Sequence, residues 1–332
     1  MRIGWIGFHA EGIPALRALV ERRAPVEVVV SLEPEAAGRR SGAADYRTLC
    51  RGLGLPLYEV ENINHDSSIE LLRRSELDLL FVIGWTQILK PEVLRLARIG
   101  VIGAHASLLP ADRGRAPINW ALIKGAQMTG NTLLWLSDGV DAGDIIDQTP
   151  ISISPYDTCA SVYRKVAVAN RDMILRALPR LLAGERPGRA QAIESGDLLP
   201  VRRPADGLID WTRPSREVYN FVRALTRPYP GAFSYAGDER VIVWQCASLP
   251  TAAHVRARPG EILGPVVSPV RGACGQLVAC GEGAVVLLEI ERQDGTRVRG
   301  RSLSDLPWTG HLGLYQSTCT LEEPALVEHP AD

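Results

Sequence analysis

The sequence of 332 residues has little of what would tie it to a metal, a disulfide framework or a membrane. It holds six cysteines, Cys50, Cys159, Cys246, Cys274, Cys280 and Cys319. Only Cys274 and Cys280 lie close together, and no Cys-x-x-Cys pair occurs, so a zinc site of that kind is excluded. In a chain long enough to bury its own core, such cysteines read as reduced, buried thiols of a cytoplasmic protein. No apolar run is long enough to span a bilayer. The segment Met1–Leu16 has no basic stretch followed by an apolar run and a cleavage site, so no signal peptide is expected. A surplus of either charge is missing too: 37 Lys and Arg face 38 Asp and Glu, for a net charge of −1. That balance gives no global field for nucleic acid, although a local basic patch stays open. The first strand is also not followed by Gly-x-Gly-x-x-Gly; Gly4, Gly7 and Gly12 are wrongly spaced for a dinucleotide.

What is present is a pattern of strands and helices in alternation. Arg2–Gly7, Val26–Val30, Leu57–Val60, Leu77–Gly84 and Gly100–Gly103 read as short, largely apolar strands. Helical spacing falls between them, over Gly12–Arg23, Tyr46–Leu53, Ser68–Arg74 and Lys90–Arg98. This is the pattern of a parallel sheet covered on both faces, which binds ligands at the carboxyl ends of its strands. Ser161–Leu182 reads as a long amphipathic helix. Beyond it come short strands separated by Gly and Pro, such as Val241–Trp244, Gln276–Ala279 and Gly283–Leu288, which suit a small β-barrel. The expected architecture is α/β, a Rossmann-like domain over residues 1–190 followed by a small OB-like barrel over 191–318. Residues 319–332 are expected to be a disordered tail.

Two stretches carry chemistry. In Gly103-Ala104-His105-Ala106-Ser107-Leu108-Leu109-Pro110 a histidine directly follows a buried strand, where an open α/β sheet places reactive groups. Taken alone, a histidine there reads first as a structural residue satisfied by a backbone carbonyl, since one titratable group makes no mechanism. The second stretch, Ser137-Asp138-Gly139-Val140-Asp141-Ala142-Gly143-Asp144, is a Gly-containing loop after a strand, whose two flanking glycines suit a tight turn that presents Asp141 inward. For Asp138 and Asp144 an ordinary surface turn stays open.

Together the two stretches resemble the folate-dependent formyltransferase family, whose signature is Asn-x-His-x-Ser-Leu-Leu-Pro followed by an Asp-x-Gly loop. Arg113-Gly114-Arg115-Ala116-Pro117-Ile118-Asn119-Trp120, Phe8-His9 and Asn62-Ile63-Asn64-His65 look most like the enzymes that formylate UDP-4-amino-4-deoxy-L-arabinose. The segments Arg202–Trp211 and Val222–Phe233 are similar to the second domain shared by sugar and methionyl-tRNA formyltransferases. The resemblance implies formyl transfer from 10-formyltetrahydrofolate to a primary amine. It implies His105 as acid/base and Asp141 as its assistant. It also implies that the backbones of Gln87, Ile88 and Leu89, and of Ser137, Asp138, Gly139 and Val140, grip the pterin. Arg115, with Arg113 and His9, would meet the substrate, and no metal is implied. For Gln87–Leu89 a helix-capping turn before Pro91 stays open, and Trp85 reads as a pocket wall.

The sequence departs from the family at one catalytic position. The family asparagine that donates to the developing oxyanion is Gly103 here, and such a donor is worth about 3–4 kcal/mol. By strand parity Asn131 points away from the site, and Asn119 reads as structural. A water in the space left by Gly103, or His105 itself, is then the expected donor. Three readings stay open: a working formyltransferase, a related acyl or one-carbon transfer, or binding with catalysis lost. Retention of His105, Asp141 and both folate-facing loops favours the first. The balanced charge, and a Ser31–Ser41 loop with two Arg against two Glu, weigh against tRNA as substrate. The expected partner is therefore a small-molecule amine, a nucleotide-linked amino sugar first, with a homodimer left open.

Overall fold

The computed structural model describes residues 1–192, 198–250, 257–269 and 273–313. The expected tail at 319–332 lies outside them. The chain divides into two compact units, one formed by Met1–Gly207 with Asn220–Gly231, the other by Leu208–Tyr219 with the chain from Ala232 onward.

The first unit begins with β1 (Ile3–Ile6), α1 (Ile13–Glu21), β2 (Val26–Leu32), α2 (Pro34–Gly38), α3 (Tyr46–Leu53), β3 (Leu57–Val60) and α4 (Asp66–Arg74). It continues through β4 (Leu79–Val82), α5 (Pro91–Leu94), β5 (Gly100–His105), α6 (Pro117–Ile123), β6 (Met128–Trp135), β7 (Ile145–Ser152) and α7 (Cys159–Leu182). Local sequence explains several boundaries. Asp45 caps α3 by accepting the Thr48 amide, and Gly54 closes it at a left-handed φ of 67°. Thr158 and Ser161 form a reciprocal capping box at the start of α7. The expected helix over Lys90–Arg98 is only one turn, because the Arg98 and Ile99 amides bond instead to the carbonyls of Leu77 and Asp78.

The strands order β3-β2-β1-β4-β5-β6-β7. From β3 to β5 every pairing is parallel, but β6 and β7 run antiparallel to their neighbours. The sheet is thus mixed rather than wholly parallel: after α6 the chain re-enters beside the carboxyl end of β5, so β6 runs back along it, and the loop after β6 makes β6 and β7 a hairpin. β1 and β4 are buried along their whole length. Side chains such as Ile6, Val30, Leu72, Leu80, Val82 and Val93 form one core on a face of this sheet. The unit extends past residue 190 because Leu199 pairs with the 113–115 turn, its N–H to the Arg113 carbonyl and its carbonyl to the Arg115 N–H.

The second unit contains the start of α8 (Ser215–Leu225), whose last turns belong to the first unit. There follow β8 (Ala232–Ala236), β9 (Glu239–Leu249), β10 (Ile262–Val266), β11 (Gly275–Ala279), β12 (Ala284–Glu291), β13 (Arg297–Arg299), α9 (Arg301–Ser304) and β14 (Leu312–Gly313). The antiparallel order is β10-β11-β12-β9-β8-β14, with β13 on β12. The sheet curls until its ends meet: Ile262 N–H donates to the Gly310 carbonyl and Leu312 N–H to that of Gly260. This closure gives the small barrel, its interior filled by Val241, Val243, Val278, Val285, Leu287 and Leu312.

The β6–β7 hairpin sets where Asp141 stands. Its loop is latched by the Gln191 side-chain amide, which donates to the carbonyls of Asp141 at 2.9 Å and Gly143 at 2.6 Å. A Cβ on Gly143 would run into the backbone oxygen of Trp135. Gly143→Ala is therefore expected to cost about 1–3 kcal/mol by overpacking. Urea unfolding checks this, and the same variant should lose the loop's latch to Gln191.

Candidate active site

His105 is the last residue of β5, and its side chain is 8% exposed. Its Nε2 lies 2.8 Å from the carbonyl oxygen of Asp112, to which it donates. Nδ1 faces Asp141 Oδ2 at 3.4 Å. The same oxygen accepts the Gly114 N–H at 3.0 Å. Both ring nitrogens thus face acceptor oxygens, and the ring is clamped between two turns. Asp112 and Asp141 adopt left-handed φ values of 54° and 50°. Such a conformation is uncommon outside glycine and persists where neighbours over-determine it, often at functional sites.

The position of the missing amide is not open. A Cβ on Gly103 would stand 2.5 Å from Leu136 Cδ2 and 3.0 Å from its Cγ. Leu136 packs against Leu109, Leu134 and Ile145, and also against the main core. The apolar side chain of Leu136 therefore takes up the space where a side chain at 103 would begin. Asn131 donates to Asn170 Oδ1 at 2.6 Å on α7, and Asn119 to the Ala224 carbonyl at 2.7 Å, so both amides are engaged elsewhere.

Two loops follow the strands on either side of β5 in the sheet order. The first follows β4. Gln87 is tied by its side chain to residues 61–63, accepting the Ile63 N–H at 2.9 Å and donating to the Glu61 carbonyl at 2.8 Å. Asn64 holds the Ile88 carbonyl and the Lys90 N–H. Thus the Gln87–Leu89 backbone is braced, and the Ile88 carbonyl is already engaged. The second loop is Ser137, Asp138, Gly139 and Val140, all exposed. Ile88 is 63% and Val140 42% exposed, apolar side chains standing in solvent on both loops. Trp85, between Gly84 and Thr86, has a buried indole N–H with no hydrogen-bond partner. Exposed apolar side chains and an unsatisfied N–H suit a flat heteroaromatic ligand with acceptor atoms.

Arg115 donates to the Thr86 carbonyl at 2.8 Å, which joins the Arg-rich turn to the first loop. Arg113 is half-buried in that turn. His9 follows β1, accepts the Glu11 N–H at 3.3 Å, and lies with its ring 5.0 Å from that of Tyr163. Sequence reasoning passed over Glu11, Trp85's unsatisfied N–H and Leu136. A carboxylate just after a buried strand was the available signal for the first; the others depend on tertiary contacts. A surface cleft of about 490 Å³ lined by Tyr235, Arg240 and Glu291 belongs to the second unit and contains none of these residues. Among the described residues no group of three or more His, Cys, Asp or Glu side chains is placed to hold a metal ion, and no helix is long and apolar enough to cross a membrane.

The family described as formyl transferase matches residues 14–178, and the formyl transferase C-terminal domain matches residues 202–305. Among solved structures, HypX from Aquifex aeolicus in complex with tetrahydrofolic acid is 19% identical, with a TM-score of 0.62, over 95% of this chain and 51% of that one. The chain thus spans about half the length of that relative. Phosphoribosylglycinamide formyltransferase from Bacillus halodurans is 20% identical over 55% of this chain and 96% of its own, with a TM-score of 0.48. The matched residues run through the mixed sheet, the His105 segment, the Asp141 loop and the barrel, and the chain belongs to the folate-dependent formyltransferase family.

Proposed function

We propose that the chain transfers a formyl group from 10-formyltetrahydrofolate to the primary amine of a small molecule, a nucleotide-linked amino sugar first. The observation that carries this reading is His105, clamped between the Asp112 carbonyl and the Asp141 carboxylate at the carboxyl end of a central strand. The folate donor supplies an activated formyl carbon. Tetrahydrofolate bound to the HypX relative supports the choice of donor. On this chain the Gln87–Leu89 and Ser137–Val140 backbones, with the Trp85 N–H, would hold the pterin.

The chemistry then asks for proton traffic. His105 takes the proton that the attacking nitrogen sheds and returns it to the departing folate nitrogen. Asp141 holds the ring in one orientation and balances its charge while the proton is aboard. Arg115 and Arg113 are the cations for a substrate diphosphate, which one or two guanidinium groups can bind. His9, on the turn after β1, would meet the substrate as well. A cytoplasmic location belongs to the same reading, supported by the five described cysteines all being free and buried.

Turnover tests the reading. Wild-type protein should consume 10-formyltetrahydrofolate with at least one nucleotide-linked amino sugar, and His105→Ala should lose about 100-fold or more of that rate. A chain that binds the donor but turns over with no amine contradicts the reading. Binding that weakens steeply with salt, with activity only on aminoacyl-tRNA, assigns the tRNA substrate instead.

Leu136 makes a second prediction. Gly103→Asn alone should lose about 1–3 kcal/mol of stability, because its Cβ meets Leu136. Gly103→Asn combined with Leu136→Ala makes room for the amide and should raise kcat above that of the single variant by about 100-fold, the worth of one oxyanion donor. Parallel measurement of denaturant midpoints and kcat separates the two effects.

A further inference from the structure

Glu11 stands in the short turn Ala10–Gly12 between β1 and α1. Its Oε2 is buried and has no hydrogen-bond partner. The nearest group able to carry a positive charge, His9 Nδ1, is 3.7 Å away and already accepts the Glu11 backbone N–H. On the other side lies Gly84, past the carboxyl end of β4, at a φ of 67°. A Cβ there would come within 3.1 Å of Glu11 Cγ and 3.3 Å of Oε1, so the absence of a side chain at Gly84 is what admits the carboxyl. His105, at the end of β5, is close enough for its charge to act on Glu11.

The titratable groups facing this carboxyl come from every element around it. They are His9 of its own turn, Tyr46 of α3, His105 of β5, Tyr163 of α7 and Tyr229. None is a Lys or Arg. Tyr163 and Tyr229 share a hydrogen bond of 2.7 Å between their hydroxyls. Burial pushes the Glu11 carboxyl above the usual carboxylate range, and His9 and His105 only partly offset that. A buried carboxyl without a Lys or Arg beside it is costly to the fold, and among the described residues the two histidines offset only part of that cost. Its place, at the adjoining carboxyl ends of β1 and β4 and within electrostatic reach of His105, is where a ligand of this sheet binds.

We propose that Glu11 receives the acceptor: its carboxylate pairs with the ammonium of the incoming substrate and takes one of its protons. This rests on the reading of the chain as an amine formyltransferase. The steps balance as follows. The ammonium gives one proton to Glu11 and becomes a neutral amine. Its lone pair forms the new C–N bond to the formyl carbon, and a second N–H proton passes to His105. The bond from formyl carbon to folate nitrogen breaks, and His105 returns its proton to that nitrogen. The formamide keeps the third hydrogen, and the proton on Glu11 leaves to solvent when the product departs. A carboxylate raised above its ordinary range is a better match for an ammonium proton than an exposed one.

The test compares wild type, Glu11→Gln and Glu11→Asp in three readouts: kcat/KM for the amine against pH, KM for 10-formyltetrahydrofolate, and Tm against pH. Glu11→Gln should lower kcat/KM by about 100-fold. It should also abolish the acid limb along which the wild-type rate rises as Glu11 ionises, and leave the donor KM unchanged. Glu11→Asp should keep part of the rate and the limb. The sign of the stability effect follows from the raised folded-state pKa. The unfolded chain releases this proton at lower pH, so the wild type loses stability as pH rises through the window between the two values. Glu11→Gln should therefore gain Tm over wild type as pH rises, while losing rate. A Glu11→Gln enzyme with wild-type rate and an intact acid limb overturns the proposal, as does one that loses rate together with Tm at every pH. Wild type that formylates no amine overturns the parent reading and this one with it.

Discussion

Asp141 is the constraint on which the rest of the site depends. Its carboxylate is fixed by a left-handed backbone, by the Gln191 latch on the loop carbonyls, and by the Gly114 N–H on Oδ2. A carboxylate so held leaves His105 one orientation, with Nδ1 toward Asp141 and Nε2 toward Asp112. The Gly114 contact also ties the Arg-rich turn to the hairpin loop, so two segments 27 residues apart are registered against one oxygen. Removing the latch would free the loop, the ring and the turn together.

Much of this was legible in the sequence, for physical reasons. A histidine at the end of an apolar β-branched strand has few places to go in an open α/β sheet, and His105 ends β5 as that pattern implies. Glycines on both sides of Asp141 signalled a tight turn, and Gly143 is needed because a Cβ there would meet the Trp135 oxygen. Strand parity placed Asn131 away from His105, and its amide does bond to α7. The barrel was legible from short strands between turn residues.

Other features were not legible, because they depend on contacts between distant segments. Local periodicity does not encode strand direction, so the antiparallel β6 and β7 were missed. The resemblance implies an asparagine where Gly103 stands, but what packs beside that position was not legible. Leu136, 33 residues on, fills the space, and only the fold brings the two together. Glu11 was passed over in the sequence. Its burial becomes apparent only when Gly84, Tyr46 and Tyr163 close around it.

The central claim is that Asp141 sets the orientation and proton position of the His105 imidazole. Nitrogen NMR of the protein labelled at histidine tests it most directly, by comparing the ring signals of wild type with those of Asp141→Asn. The account predicts a slowly exchanging proton on Nε2 of His105 in the wild type, held by the Asp112 carbonyl. In Asp141→Asn that signal should broaden as the ring samples other orientations. Identical His105 signals in the two proteins, with the same proton on the same nitrogen, would contradict it.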